Sequence, residues 1–278
     1  MNKKIIFILA IVLTTSLMMT CVSAEGLLDI FGNDNSETVN DDTTFVVGFN
    51  SQFPPFGYQD KNGNYTGFDL DLAKEVCNRN NWTFVPQPII DWNSKQMELD
   101  GGEIDCLWSE FTINGREDNY TWSEPYFNNT KVVIVKKDSG ISTIDDLKGK
   151  TIEIQQGSSF LNTLKNNETL KNLLGNVNEV DGYDTALMDL ESGVCDAVIC
   201  DSGLGYYKVV EEFNGGDFEV LDETISNEVY GVAFKKGNTE LRDQVQKTLD
   251  EMFEDGTVDE IAQNYSQYEI PENLIYPE

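Results

Sequence analysis

Apolar and polar positions fall into short blocks that switch between strand and helix periods. Phe45-Val-Val-Gly-Phe49 is an apolar run of strand length. Asp69 then stands as a cap for a helix whose apolar positions Leu72, Ala73, Val76 and Cys77 share one face. Residues 82–85 read as a second strand, stopped by Pro86 and Pro88. Residues 104–108 and 131–135 give a third and a fourth. A second cycle begins at Ser142, with a helical turn over 144–147, a strand over 151–154 and a helix over 159–165. A helix over 185–191 and a strand over 197–200 follow. In the tail, Leu241, Val245, Leu249, Met252 and Phe253 form one apolar stripe. Gly256 ends it, and Val258, Ile261, Ala262 and Tyr265 start another. This helix pair suits either half of the molecule. Such alternation predicts an α/β fold with mainly parallel sheets covered by helices.

One local signal occurs twice. Leu99-Asp-Gly-Gly102-Glu-Ile-Asp105 matches Leu190-Glu-Ser-Gly193-Val-Cys-Asp196. In each, a helix ends, Gly supplies the left-handed turn, and a strand enters the core. The repeat predicts two lobes of like architecture.

The N-terminus lies outside that pattern. Lys3 and Lys4 precede an apolar run, and Val22-Ser23-Ala24 offers small residues for cleavage, so residues 1–24 read as a secretory signal. A cut before Cys21 would make a lipoprotein instead, but Met18-Met19-Thr20 is a poor lead-in. A retained anchor is the third option. Residues 25–44, rich in Asp, Asn, Ser and Thr, read as a flexible acidic tether. The chain is expected to be extracytoplasmic, secreted or held at a membrane. It carries 49 Asp+Glu against 19 Lys+Arg, a net charge of −30, which excludes nucleic acid as a partner. It has no histidine, so zinc sites and triads built on that residue are excluded. Cys77, Cys106, Cys195 and Cys200 have no C-x-x-C spacing and read as small buried hydrophobes, although a disulfide is permitted. No metal or cofactor is expected.

Candidate chemistry starts at Arg116, which closes a buried strand and a polar loop. A guanidinium there suits a carboxylate, because its planar fork matches two oxygens at once. Around it stand several ordered motifs: Val46-Val-Gly-Phe-Asn-Ser-Gln-Phe-Pro-Pro-Phe56, Gly67-Phe-Asp-Leu-Asp-Leu72, Phe111-Thr-Ile-Asn-Gly-Arg116 and Trp122-Ser-Glu-Pro-Tyr126. The second half adds Asp146-Leu-Lys-Gly-Lys150, Gln156-Gly-Ser-Ser159, Gly193-Val-Cys-Asp196 and Asp255-Gly-Thr257. As a set they resemble the family-3 extracytoplasmic solute-binding proteins, the polar amino-acid receptors of ABC importers.

The resemblance implies a two-lobed periplasmic-binding-protein type II fold, with discontinuous lobes joined by two hinge strands. Lobe 1 would be 45–135 and 229–268, lobe 2 would be 136–228, and 269–278 would be a tail. The crossing strands would be 132–136 and 230–235. It further implies hinged closure on a polar or cationic amino acid, as a monomer, for delivery to an ABC permease. Arg116 would grip the α-carboxylate, and backbone N–H groups at Ser158 and Ser159 would face it from a helix start. Asp201, ending a strand, would hold the α-ammonium, and Thr112 would bind one end of the ligand. Trp92 and Phe53 would wall the side-chain stem, with Asn50 and Gln155 near its end. Two positions depart from the family. Asn50 replaces a common acid, and Glu110 stands where Gly or Ser is frequent; if it points inward, it would prefer a cation.

Two rivals share this fold: a dehydratase-like enzyme, needing a raised acid at Glu110 or Asp201, and a tethered sensory receptor. Without histidine, binding is expected to change little between about pH 6 and 8.

Overall fold

A computed structural model describes residues 44–277 apart from 215. The signal segment, the tether to residue 43 and Cys21 lie outside the described residues. In chain order the strands are β1 (Thr44–Phe49), β2 (Gln52–Phe53), β3 (Gly57–Gln59), β4 (Tyr65–Thr66), β5 (Thr83–Pro88), β6 (Cys106–Leu107) and β7 (Thr121–Trp122). Then come β8 (Phe127–Lys136), β9 (Thr151–Gln155), β10 (Asn176–Val180), β11 (Ala197–Asp201), β12 (Phe218–Val220), β13 (Ser226–Tyr230) and β14 (Ala233–Phe234). The helices that matter below are α1 (Phe68–Asn80), α2 (Lys95–Gly101), α3 (Ser159–Asn166), α4 (Glu168–Leu174), α5 (Tyr183–Ser192), α6 (Ser202–Tyr207), α7 (Thr239–Glu254) and α8 (Thr257–Gln263).

Two sheets carry the fold in matching order. One runs β5-β1-β6-β14-β7, the other β10-β9-β11-β8-β12 with β13 also paired to β8. In each, three parallel strands are followed by an antiparallel strand that has arrived from the other half of the chain. The sheets are therefore mixed rather than mainly parallel. The repeated motif is the matching joint. Gly102 and Gly193 both end helices at φ 79°, ψ 21°. Asp105 then accepts the Val46 N–H at 2.7 Å, and Asp196 accepts the Thr151 N–H at 2.8 Å. Each aspartate fastens the incoming strand to the first residues of its neighbour.

The structure moves the crossing points. All of β8 belongs to the second sheet, paired with β11, β12 and β13. The chain passes between sheets at residues 123–126 and 231–232 instead of along 132–136 and 230–235. There Ser123 N–H donates to Val232 O at 2.9 Å, and Tyr126 N–H to Tyr230 O at 3.1 Å. Phe56 stands edge-on to Phe127 and Tyr230, which stack at 5.5 Å. One continuous apolar core thus runs through the hinge, from Val47 and Phe68 to Val198 and Leu187.

Three further expectations change. β5 continues through Pro86 and Pro88 because it is an edge strand that pairs with β1 alone. The tail helices complete the first half, packing on α1, where Arg79 donates to Asp255 at 2.8 Å and to Thr257 at 2.7 Å. Asp69 is not a cap: Gly67, at φ 135°, precedes the helix, and a Cβ there would sit 2.1 Å from Phe56 O. The helix therefore starts at Phe68, and Asp69 turns into the core. The four cysteines in the described residues are buried and free. Among those residues, no helix is long and apolar enough to cross a membrane.

Candidate functional site

Between the two sheets lies a small cavity of about 30 Å³. Phe53, Trp92, Glu110, Phe111, Thr112 and Arg116 line it from the first half; Lys131, Gln155, Ser158, Ser159, Tyr183 and Asp201 line it from the second. Nine of the ten residues expected at the site are therefore brought together. Asn50 is the exception. It lines an adjoining cleft that shares Trp92 and Gln155, and its Oδ1 accepts the Gln52 N–H at 3.0 Å.

Arg116 projects from the loop before β7. Its guanidinium donates to Thr112 O at 3.2 Å and, across the cleft, to Gly157 O at 3.0 Å. Its Cζ sits 4.7 Å over the Phe111 ring. These contacts fix the fork but do not match its charge: among the described residues, no carboxylate pairs with it. Burial pulls its pKa down, which makes an anionic partner more favourable. Trp92 meets Phe111 edge-on, and Phe53 meets Tyr183 edge-on across the cleft, so the apolar wall draws on both halves.

The start of α3 is only partly as expected. Ser158 caps it through its side chain, but its own N–H donates to Gln155 O at 3.1 Å. It does not point into the cavity as a free donor. Ser159 Oγ donates to Glu228, whose two oxygens lie 2.9 and 2.8 Å away. Thr112 Oγ1 reaches the same carboxylate at 2.8 Å, so Glu228 ties the halves together.

The acidic wall departs furthest from expectation. Asp201 ends β11 and is 3% exposed, but it is already matched. Lys131 Nζ lies 2.7 and 2.8 Å from its two oxygens, and Tyr230 Oη and Asn129 Nδ2 also donate to it. Lys131 is 3.4 Å from Glu228 as well. Burial works against the Lys131 charge, but Asp201 and Glu228 outweigh it and raise its pKa. Burial works equally against Glu228, yet Lys131 and the two hydroxyls hold it below the usual carboxylate range. Lys131, Glu228, Tyr183 and Tyr230 were not read from the sequence as site residues. Lys131 alone left a signal, as a charge at the head of the apolar run 131–135.

Glu110 faces inward. Its carboxyl accepts from Ser109 Oγ at 2.5 Å and has no cation within ion-pair distance among the described residues. Its backbone is left-handed, at φ 42°, and its N–H is held by Asp69 Oδ2 at 2.6 Å. Asp69 also accepts from Tyr126 Oη at 2.7 Å. Burial raises Asp69 to about 7 against these two bonds. Burial, then Asp69, pushes Glu110 well above its ordinary value. With Asp69 raised to about 7, one buried acid stands in the range that histidine would have covered, against the expectation of pH-independent binding.

Two lobes of matching order, joined by two short crossings and closed over a charged cavity, define a hinged solute-binding protein. The sequence pattern of "Bacterial extracellular solute-binding proteins, family 3" matches residues 45–268. The L-cystine-binding protein TcyJ of Escherichia coli (strain K12) is 29% identical over 268 residues, covering 95% of each chain. An ABC uptake transporter substrate-binding protein from Streptococcus pneumoniae, solved with bound histidine, superposes with a TM-score of 0.75 at 33% identity, over 81% of this chain and 92% of that one. An ancestral arginine-binding protein bound to arginine gives 0.73 at 35%, over 80% and 98%. The chain belongs to the family-3 extracellular solute-binding proteins. It is an extracytoplasmic solute-binding protein.

Proposed function

We propose that this protein closes on a polar or cationic amino acid by hinge motion and delivers it to the membrane permease of an ABC importer. Relatives that bind L-cystine, histidine and arginine support that ligand class. The observation that carries the reading is Arg116, a fixed guanidinium in the cavity wall whose hydrogen bonds among the described residues go to backbone carbonyls and not to a carboxylate. It receives the ligand's carboxylate through two charge-assisted bonds, each worth about 1.5–3 kcal/mol. Ser159 at the α3 start and Thr112 stand beside it. Phe53, Trp92 and Tyr183 enclose the stem, and Gln155 lies at its far end. A carboxylate of the cavity wall receives the ammonium.

The lobes in this reading follow the sheets, with 45–126 and 231–268 on one side and 127–230 on the other. Ligand favours the closed form because Arg116 and Phe53 come from one lobe and Ser159 and Tyr183 from the other. A thermal-shift screen of the common amino acids tests the proposal. At least one should raise the unfolding midpoint of the wild-type chain, and Arg116→Ala should abolish that rise while keeping its own cooperative transition. No shift with any amino acid would refute it.

A further inference from the structure

Four charged side chains line the cavity, and their charges do not pair off evenly. Lys131 and Asp201 satisfy each other at 2.7 and 2.8 Å, with Glu228 behind them. That leaves Arg116, which has no paired acid among the described residues, and Glu110, which has no paired base among them, on the same cavity wall. A ligand cation that displaced Lys131 from Asp201 would strand a buried ammonium beside Glu228 alone, and a buried charge losing its partner is strongly disfavoured. A cation at Glu110 displaces nothing.

The backbone points the same way. A glutamate at φ 42° is unfavourable, and it persists here because Asp69, itself wholly buried, holds its N–H at 2.6 Å. Tyr126 fixes Asp69 in turn. This arrangement turns one carboxyl into the cavity and orients it through Ser109.

We infer that Glu110 is the residue that receives the cationic group of the bound amino acid, while Lys131 stands on Asp201 as an ammonium supplied by the chain itself. The inference rests on the amino-acid-binding reading above and refines it. It makes Glu110 the specificity determinant and Asp201 the support of Lys131.

Calorimetric titration with L-arginine and with L-histidine tests it on three chains: wild type, Glu110→Gln, and the double variant Lys131→Met/Asp201→Asn, each checked for a cooperative thermal transition. Glutamine keeps the shape and the Ser109 contact and removes only the charge, so Glu110→Gln should weaken binding a hundredfold or more. The double variant removes a matched pair and should weaken it less than tenfold. The opposite ranking, or equal losses in both, would overturn the inference and return the cation to Asp201. If the wild-type chain binds no amino acid at all, the underlying functional reading fails instead, which is a separate result.

Discussion

Lys131 Nζ lies 2.7 Å from Asp201 Oδ1, with both side chains almost wholly withdrawn from solvent. A cation is therefore built into the acidic end of the cavity. Removing only one member of such a pair leaves an uncompensated buried charge, at a cost of roughly 3–5 kcal/mol. Lys131→Met should lower the urea unfolding free energy by about that amount. Adding Asp201→Asn to Lys131→Met should recover much of the loss. A single variant as stable as the wild type would mean that the pair is not formed in solution.

Stability should carry the signature of Asp69. Its folded value is about 7, against an unfolded value near 3.9, so the folded state keeps a proton that the unfolded state releases. The contribution of this group is complete below pH ~4 and is lost as pH rises toward ~7. Asp69→Asn, which can accept from Glu110 N–H and donate to Tyr126 Oη, has no charge to bury. Relative to wild type it should gain stability between about pH 4 and 7, by at most roughly 4 kcal/mol. Chemical denaturation of both chains across that range checks it, and parallel curves would contradict it.

Ligand affinity should depend on pH through Glu110. Its carboxyl is held well above the ordinary range by burial and by Asp69; Asp201 adds to the rise, while Ser109 and Lys131 oppose it. A cation binds best to the ionised form, so affinity for L-arginine should rise with pH up to the Glu110 value, by at most tenfold per unit. Glu110→Gln should flatten the profile. A flat wild-type profile from pH 5 to 8 would contradict this.

Closure should be sensitive to Gly157. It holds φ 71°, accepts from Arg116, and packs where a Cβ would lie 3.2 Å from Asn93 Oδ1. Alanine there is strained by about 1 kcal/mol and must push against the opposite lobe. Gly157→Ala should lower fold stability by about the 1 kcal/mol of backbone strain and, through the contact with Asn93, reduce affinity about five- to tenfold, as a further penalty of about 1–1.4 kcal/mol on the closed form requires. Loss of the fold would place its role elsewhere.

Most of the architecture was legible in the chain. The pair of Gly-x-x-Asp joints forecast the two matching sheets, because helix stop, left-handed turn and strand entry are all local chemistry. The boundaries of β9, β11 and α3 were likewise close. What escaped depended on long-range partners. Nothing near Lys131 in sequence says that Asp201 and Glu228 will meet it, since those pairings arise from β8 lying between β11 and β13. Asp69 looked like a cap because its usual local role is capping. Only the close approach of Phe56 O to Gly67 starts the helix early enough to turn it inward. At the site, Arg116 and Phe53 stood in ordered motifs and Trp92 was expected from the resemblance alone, whereas Tyr183 and Tyr230 carried no local mark.

The central claim is that Arg116 takes the carboxylate of an amino acid held between the lobes. Its most direct test is a calorimetric comparison of L-arginine with L-argininamide, which keeps the ammonium and guanidinium and lacks the carboxylate. The amide should bind at least a hundredfold more weakly to the wild-type chain, and Arg116→Ala should remove the difference. Equal affinity for acid and amide would contradict it.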